Sequence, residues 1–196
     1  MERVFFGDIE VDAALLLAYG RDAERRTGVA VAPAHLVAKS VGRALRLLRR
    51  PAADVLVVSG DGGHGVAVAG DTPVLDIARR VGDGRGGTSG PVVGADIVAG
   101  DEALPHGYAP LHLYSAAPLV VRVGPVRERP VAVAGRVVCR PMLALTLTAD
   151  APAFAYGELA RLATSIRDYL TNPQAYEPPF GVGTADVRNP VITSAV

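Results

Sequence analysis

The sequence has little cysteine and little lysine, and both shortages bear on the class of protein. Cys139 is the single cysteine among 196 residues, which excludes an internal disulfide and a cysteine-rich metal site. Lys39 is the single lysine, and we attribute this bias toward arginine to a genome rich in G and C. The formal net charge is +0. No global charge therefore draws the chain to nucleic acid or to an acidic membrane, and we expect neither as a partner.

Long apolar runs are also missing. No run reaches the roughly 20 residues that span a bilayer. Residues 1–10 contain acids and no apolar stretch of the length found in signal peptides. We therefore expect a cytoplasmic protein. Hydrophobic residues still make up 49% of the chain, which is ordinary for a globular domain with a core of its own.

The motifs of nucleotide and metal sites are absent as well. A glycine-rich run, 60–65, follows a predicted strand, but a second strand comes after it. A dinucleotide site needs a helix N-terminus at that point, because this end of a helix binds the pyrophosphate. There is no Gly-Lys-Ser/Thr phosphate loop and no His-Glu-x-x-His pair. We interpret the glycines as a tight turn between strands, and expect no tightly bound cofactor and no metal.

The apolar periodicity predicts a mixed α/β chain with its strands concentrated in the second half. Strands are predicted at 4–11, 54–59, 66–69, 92–98, 111–114, 119–123, 131–133, 136–139 and 143–148. Helices are predicted at 13–27, 33–50, 73–81 and 156–170. Loops are predicted at 82–91 and over most of 99–117. The residues from 174 to 196 have no period, so we expect an arm or a disordered tail there.

Four histidines are candidates for chemistry. His35 lies early on an amphipathic helix and is interpreted as structural, and His64 lies in the glycine turn. His106 and His112 lie in the irregular segment, among acidic residues and tyrosines. A histidine with a pKa near neutrality is the natural general base for a hydroxyl or a thiol. Two loop histidines without a role are the alternative interpretation.

The segment 118–173 resembles a known family. It contains the strand Leu119-Val-Val-Arg-Val-Gly124, a hairpin that ends in Arg140-Pro-Met142, and the strand Leu143-Ala-Leu-Thr-Leu-Thr-Ala-Asp150. In this order they resemble the C-terminal half of the catalytic domain of the dihydrolipoamide acyltransferases, within the superfamily of chloramphenicol acetyltransferase. The closing helix and Asn172-Pro173 are similar to the end of that domain.

The first half of the chain is similar to the same family in the order of its elements, so the resemblance covers most of the sequence. It implies an α/β fold, a two-layer sandwich with a mixed sheet, in one acyltransferase-like domain over residues 1–173. It also implies a homotrimer in which the active-site channel lies between subunits.

Two departures from the family's pattern bear on function. The family motif is Asp-His-Arg-x-x-x-Gly, whose histidine takes the proton from the attacking group. Here Asp150 is followed by Ala151 and Pro152, and the stretch to Gly157 is one residue longer. The family also has a Ser-Asn-Leu-Gly segment whose hydroxyl helps to stabilise the oxyanion. The matching residues, 99–102, have no hydroxyl.

Two functions of different class are therefore expected. The first is acyl transfer from a thioester, of coenzyme A or of an acyl carrier protein, to a small hydroxylated acceptor in a biosynthetic pathway. His106 or His112 would then replace the lost base, Asp150 or Tyr156 would assist, and coenzyme A thioester would be a co-substrate. The second is a non-catalytic relative, a pseudoenzyme that acts as a binding or assembly subunit for a partner enzyme.

Overall fold

The computed structural model describes residues 4–49, 54–59, 62–83, 95–99 and 117–180. Within these residues, four strands and three helices are interspersed in the first half, and two long strands and a closing helix follow. The strands are β1 (Val4–Asp12), β2 (Asp54–Ser59), β3 (Gly62–Ala67), β4 (Ala95–Ala99), β5 (Leu119–Val133) and β6 (Arg136–Asp150). The helices are α1 (Ala14–Thr27), α2 (Pro33–Leu47), α3 (Val74–Gly82) and α4 (Tyr156–Thr171), followed by a short 3-10 helix, Pro173–Ala175.

The six strands form one sheet in the order β1-β6-β5-β4-β2-β3. Strand β4 runs parallel to β2 and to β5, whereas the other neighbouring pairs are antiparallel. The sheet is therefore mixed, as the resemblance implies. The glycine-rich run does connect two antiparallel strands, but β3 already begins at Gly62 and pairs with Ser59. The predicted start at residue 66 is wrong because glycines with no strand propensity of their own are paired by β2.

The helices begin and end largely where local signals predict. An Asp12 carboxylate oxygen accepts a hydrogen bond from the Ala14 amide at 2.9 Å, which satisfies one of the free donors of the first turn of α1. Gly28 ends α1 with φ 70°, a conformation in which glycine has no steric penalty. Pro33 opens α2, where its missing N–H costs nothing. Helix α2 ends at Leu47, three residues before the predicted end.

The core lies between the helices and one face of the sheet. Ile9 of β1 pairs with Leu145 of β6, and both side chains are buried. Alternation along each strand sends the neighbouring side chains to the other face. Helices α1, α2 and α4 supply most of the remaining apolar core. Their largest fully buried apolar side chains are Leu16, Leu36, Val37, Leu162, Ile166 and Leu170. Burying each such side chain stabilises the fold by roughly 1.5–3 kcal/mol.

The sequence predicts β5 and β6 as short pieces, whereas each is one continuous strand of 15 residues. Gly124 and Pro125 interrupt the apolar pattern, and the structure absorbs them in a register shift between Val123 and Val126. Ala134 and Gly135 form the turn of the predicted hairpin, both with positive φ. Cross-strand hydrogen bonds therefore carry both strands through positions that look like breaks in the sequence.

The remaining sequence predictions include some that lie outside the described residues: the loop at 84–91, the start of the strand at 92–94, the segment 100–116 and the tail from 181. Residues 174–180, which the sequence places in that tail, lie against the helices, and Phe180 packs on Tyr19 of α1 with ring centroids 4.9 Å apart. Among the residues that the structure describes, no helix has both the length and the apolar character needed to cross a membrane.

Candidate functional site

The connection between β6 and α4 is the place where the family motif would supply its histidine. Strand β6 ends at Asp150, whose amide donates to the carbonyl of Pro118 at 3.0 Å. The Asp150 carbonyl accepts from the amides of Ala153 and Phe154, both at 3.0 Å, and so closes a tight turn. Helix α4 then begins, and a Glu158 carboxylate oxygen accepts from the Ala155 amide at 2.9 Å.

The side chains of this connection offer no acid–base group between Asp150 and Tyr156. Ala151, Pro152 and Ala153 occupy the turn, and Phe154 is buried with 3% of its surface exposed. The Phe154 ring packs into the hydrophobic core and so holds the connection in place. The local backbone is therefore well defined, but it presents methyl groups and a proline ring where the motif of the family has a histidine.

Tyr156 and Asp150 face different parts of the molecule. Tyr156, the first residue of α4, is 75% exposed, and its ring lies 6.2 Å from that of Phe5. Phe5 pairs with Ala149, so it lies on the helix-covered face of the sheet. Asp150 is the next residue along β6, and strand alternation places its side chain on the opposite face. The structure therefore does not bring these two candidates into one catalytic pair.

Tyr156 instead lines an apolar groove between the edge strand β1 and helix α4. Its volume is about 180 Å³. Its apolar lining includes Phe5, Phe6, Leu147, Tyr156, Leu159 and Ala163. Among the described residues that line it, Asp8 is the one acid, and there is no histidine. The groove suits an apolar group, and the part of its lining that the structure describes has no histidine, serine or cysteine.

The histidines are distributed as follows. His35 lies at the third position of α2, and its Nδ1 accepts a hydrogen bond from the Ala32 amide at 3.1 Å, which confirms a structural role. Burial lowers the pKa of His35.

His64 lies within β3, where its backbone pairs with Val57. His106 and His112 lie outside the described residues, so the proposal that one of them is a base stays a prediction. Within residues 4–49, 54–59, 62–83, 95–99 and 117–180 there is no cluster of three or more metal-ligating side chains.

A polar site at the other end of α4 was not predicted from the sequence. Glu177 is 8% exposed, and its Oε1 accepts from the Tyr169 hydroxyl at 2.7 Å. Its Oε2 accepts from the Val74 amide at 3.0 Å. Lys39 Nζ lies 3.9 Å from Glu177 Oε1 and donates to the Gly70 carbonyl at 3.0 Å. The sequence offered one sign of this site, the single lysine, and its composition explains that lysine equally well by a genome rich in G and C.

The ionisable groups of this polar site are shifted mainly by burial. Burial lowers the pKa of Lys39, while the nearby charge of Glu177 opposes that shift. Burial raises the pKa of Tyr169, and the charge of Glu177 and its hydrogen bond raise it further. Burial also raises the pKa of Tyr19, with a smaller contribution from Glu177. The tyrosines are thus held in the protonated form, in which Tyr169 donates to the carboxylate.

Comparison with known proteins gives a likeness of fold. No protein-family model matches the chain, and no curated protein matches it in sequence. A dihydrolipoamide acetyltransferase from Azotobacter vinelandii, studied for the roles of a serine, a histidine and an asparagine in catalysis, is similar with a TM-score of 0.69 at 16% identity. The match covers 89% of this chain and 84% of that one.

Two further structures extend this likeness. A truncated catalytic core of the 2-oxoacid dehydrogenase multienzyme complex from Thermoplasma acidophilum has a TM-score of 0.67 at 14% identity, over 88% of this chain and 89% of that one. The X-domain in complex with OxyB, from teicoplanin biosynthesis, has a TM-score of 0.51 at 14% identity, over 87% of this chain and 46% of that one. The fold is therefore that of the acyltransferase catalytic cores, which confirms the resemblance seen in the sequence at the level of the fold.

Proposed function

We propose that this protein is a non-catalytic member of the acyltransferase superfamily that serves as a binding or assembly subunit. The connection between β6 and α4 carries the proposal, because Ala151 and Pro152 stand where the motif has its histidine and the buried Phe154 fixes the turn. Losing a general base costs a factor of about 100 to 10,000, and losing an oxyanion donor a comparable factor. The two losses together make acyl transfer by the mechanism of the family too slow to be useful.

The proposed assembly is a homotrimer of two-layer sandwiches in the cytoplasm. Its binding site is the channel between subunits in which the family has its active site. The likeness to a core of a multienzyme complex supports a homo-oligomer. The likeness to an X-domain in complex with OxyB supports a fold that docks a partner protein. In this proposal the ligand is an acyl thioester or another small molecule, and the partner is an enzyme or an acyl carrier protein.

Acyl transfer is the second candidate, and the likeness to a dihydrolipoamide acetyltransferase favours it. In this alternative, His106 or His112 takes the proton from the acceptor hydroxyl, the oxygen attacks the thioester carbonyl, and the thiol of coenzyme A leaves with that proton. Asp150 or Tyr156 would assist. Strand alternation directs Asp150 to the face of the sheet opposite the helices, whereas Tyr156 lies on α4, so we propose that only one of them assists the base.

One experiment separates the two candidates. Acetyl-coenzyme A and a panel of alcohols are offered to the wild type, to His106→Ala and to His112→Ala, with His64→Ala as the matched control. We expect no turnover in the wild type, together with binding of the thioester or of a partner measured by calorimetry. Turnover that is lost in one of the first two variants and kept in the control would establish acyl transfer and overturn the non-catalytic proposal.

The oligomeric state is tested by sedimentation equilibrium at micromolar concentration. We expect a mass of three chains. A monomer at this concentration would contradict the trimer and the proposed site between subunits, whereas the fold and the chemistry of each chain would be unaffected.

A further inference from the structure

Glu177 lies in a site built from two hydrogen-bond donors and one cation. Its side chain is 1% exposed, and that of Lys39 is 6% exposed. The Tyr169 hydroxyl and the Val74 amide donate hydrogen bonds to the carboxylate, and the Lys39 ammonium group adds a positive charge at 3.9 Å. The two carboxylate oxygens are used separately, because Oε1 faces the tyrosine and the lysine and Oε2 faces the amide. Both the charge and the shape of a carboxylate are recognised here.

The Val74 amide adds more than one hydrogen bond. Val74 is the first residue of α3, a helix of 9 residues, so its N–H belongs to the positive end of the helix dipole. Charge-assisted hydrogen bonds of this kind are about twice as strong as neutral ones. The site therefore combines a dipole, a cation and a neutral donor around one anion.

Apart from Glu177, the chain segment that brings this carboxylate here is held mainly by ring contacts. We call residues 172–180 the C-terminal strap. Most of its residues are exposed, and Pro173 and Glu177 are the two that are buried. Two rings add contacts: Tyr176 stacks on Tyr169 at 5.5 Å and lies 4.4 Å from the Arg43 guanidinium, and Phe180 packs on Tyr19. Segments with so little buried area open locally at low free energy, so a single enclosed carboxylate has a large share in holding the strap down.

We propose that Lys39, Tyr169 and the Val74 amide form a carboxylate-binding site, which Glu177 fills from the chain's own C-terminal strap as a latch. When the latch opens, the strap leaves α1, α2 and α4, and the site becomes available to a carboxylate from outside. This inference is independent of the connection between β6 and α4 and of the proposed loss of catalysis.

Hydrogen exchange tests the latch. The Glu177→Gln variant keeps the shape of the side chain and removes its charge, and Glu24→Gln, which neutralises an exposed carboxylate on α1, is the matched control. The reporters are the amides of Ala175 and Tyr176, which donate to the carbonyls of Asn172 and Pro173. We expect their exchange to accelerate about tenfold or more in Glu177→Gln and to stay unchanged in the control. Equal exchange in both variants would overturn the latch.

Chemical rescue tests the site itself. In Glu177→Ala the carboxylate is missing and its donors are left without it, so sodium acetate serves as the probe, with sodium chloride at equal ionic strength as the reference. We expect acetate to raise Tm in this variant, because it occupies the place of the missing carboxylate, with no such difference in the wild type, in which Glu177 occupies the site. The double variant Lys39→Met/Glu177→Ala should lose the response to acetate. Equal effects of the two salts on Glu177→Ala, or an acetate effect that survives Lys39→Met, would overturn the carboxylate site.

Discussion

The two ends of α4 differ in the ionisable side chains that surround them. At its N-terminal end, Ala151, Pro152 and the buried Phe154 form a connection without an acid–base group. At its C-terminal end, Tyr169 donates to the buried carboxylate of Glu177, near Lys39. The resemblance in sequence to the acyltransferases, over residues 118–173, includes both ends of the helix. The comparison shows that a fold can be kept while ionisable side chains are absent from one place and enclosed at another.

The largest expected effect is at the polar end. Replacing Lys39 by Met leaves the Glu177 carboxylate buried without its ammonium neighbour, and should lower the free energy of unfolding by about 3–5 kcal/mol. Urea denaturation at pH 7 measures it. The double variant Lys39→Met/Glu177→Gln removes the buried charge and should recover a substantial part of that loss. A double variant no more stable than the single one would contradict a charge-based origin.

Removing only the tyrosine hydroxyl should have a smaller effect. Tyr169→Phe deletes the donor at 2.7 Å from Glu177 Oε1, and we expect a loss of about 1–3 kcal/mol in the free energy of unfolding. Tyr176→Phe is the control, because that residue is 40% exposed and contacts its neighbours through the ring. Equal losses in the two variants would indicate that the hydroxyl of Tyr169 contributes nothing specific.

His35 belongs to neither end of α4 and supplies a reference for pH dependence. Its Nδ1 accepts from the Ala32 amide, and burial lowers its pKa in the folded protein. The unfolded chain, with a histidine pKa of about 6.5, therefore binds more protons than the folded one as the pH falls. The stability that His35 contributes is full above about pH 6.5 and is lost as the pH falls through the lowered pKa.

The conservative variant His35→Gln isolates this effect, because a glutamine oxygen can accept the same hydrogen bond without titrating. Unfolding free energies are measured at pH 7.5 and pH 5.0. The wild type should lose more stability between these two pH values than the variant does. Parallel losses would assign the pH dependence to other groups.

The smallest expected effect is at the apolar end. Restoring a histidine with Ala151→His should change the free energy of unfolding by no more than about 0.5 kcal/mol, since the position is in a partly exposed turn. It should also fail to give turnover with acetyl-coenzyme A. The extra residue before Gly157 changes the direction of the side chain, and a displacement of about 1 Å can cost ~100-fold. Turnover in this variant would show that the site is otherwise intact.

Local signals were sufficient for most helix ends and for the hairpin. Gly28 and Pro33 act through their own backbone, at the end of α1 and at the start of α2. Asp12 accepts from the Ala14 amide, although Ala13 is the N-cap residue of α1. The strands were harder to delimit. Gly62 and Gly124 have no propensity for a strand, yet both lie in one. Gly62 is paired by β2, and Gly124 lies where the pairing of β5 with β6 shifts its register.

For the candidate sites, the sequence by itself determined an absence, because the order of residues from Asp150 to Gly157 already excludes the family histidine. It did not determine that Asp150 and Tyr156 lie on different faces, since this depends on the pairing of β1 with β6. Only the tertiary structure placed Lys39, Val74 and Glu177 together. Glu177 and Val74 are 103 residues apart in the chain, and no local pattern encodes a contact made by the packing of α2, α3 and the C-terminal strap.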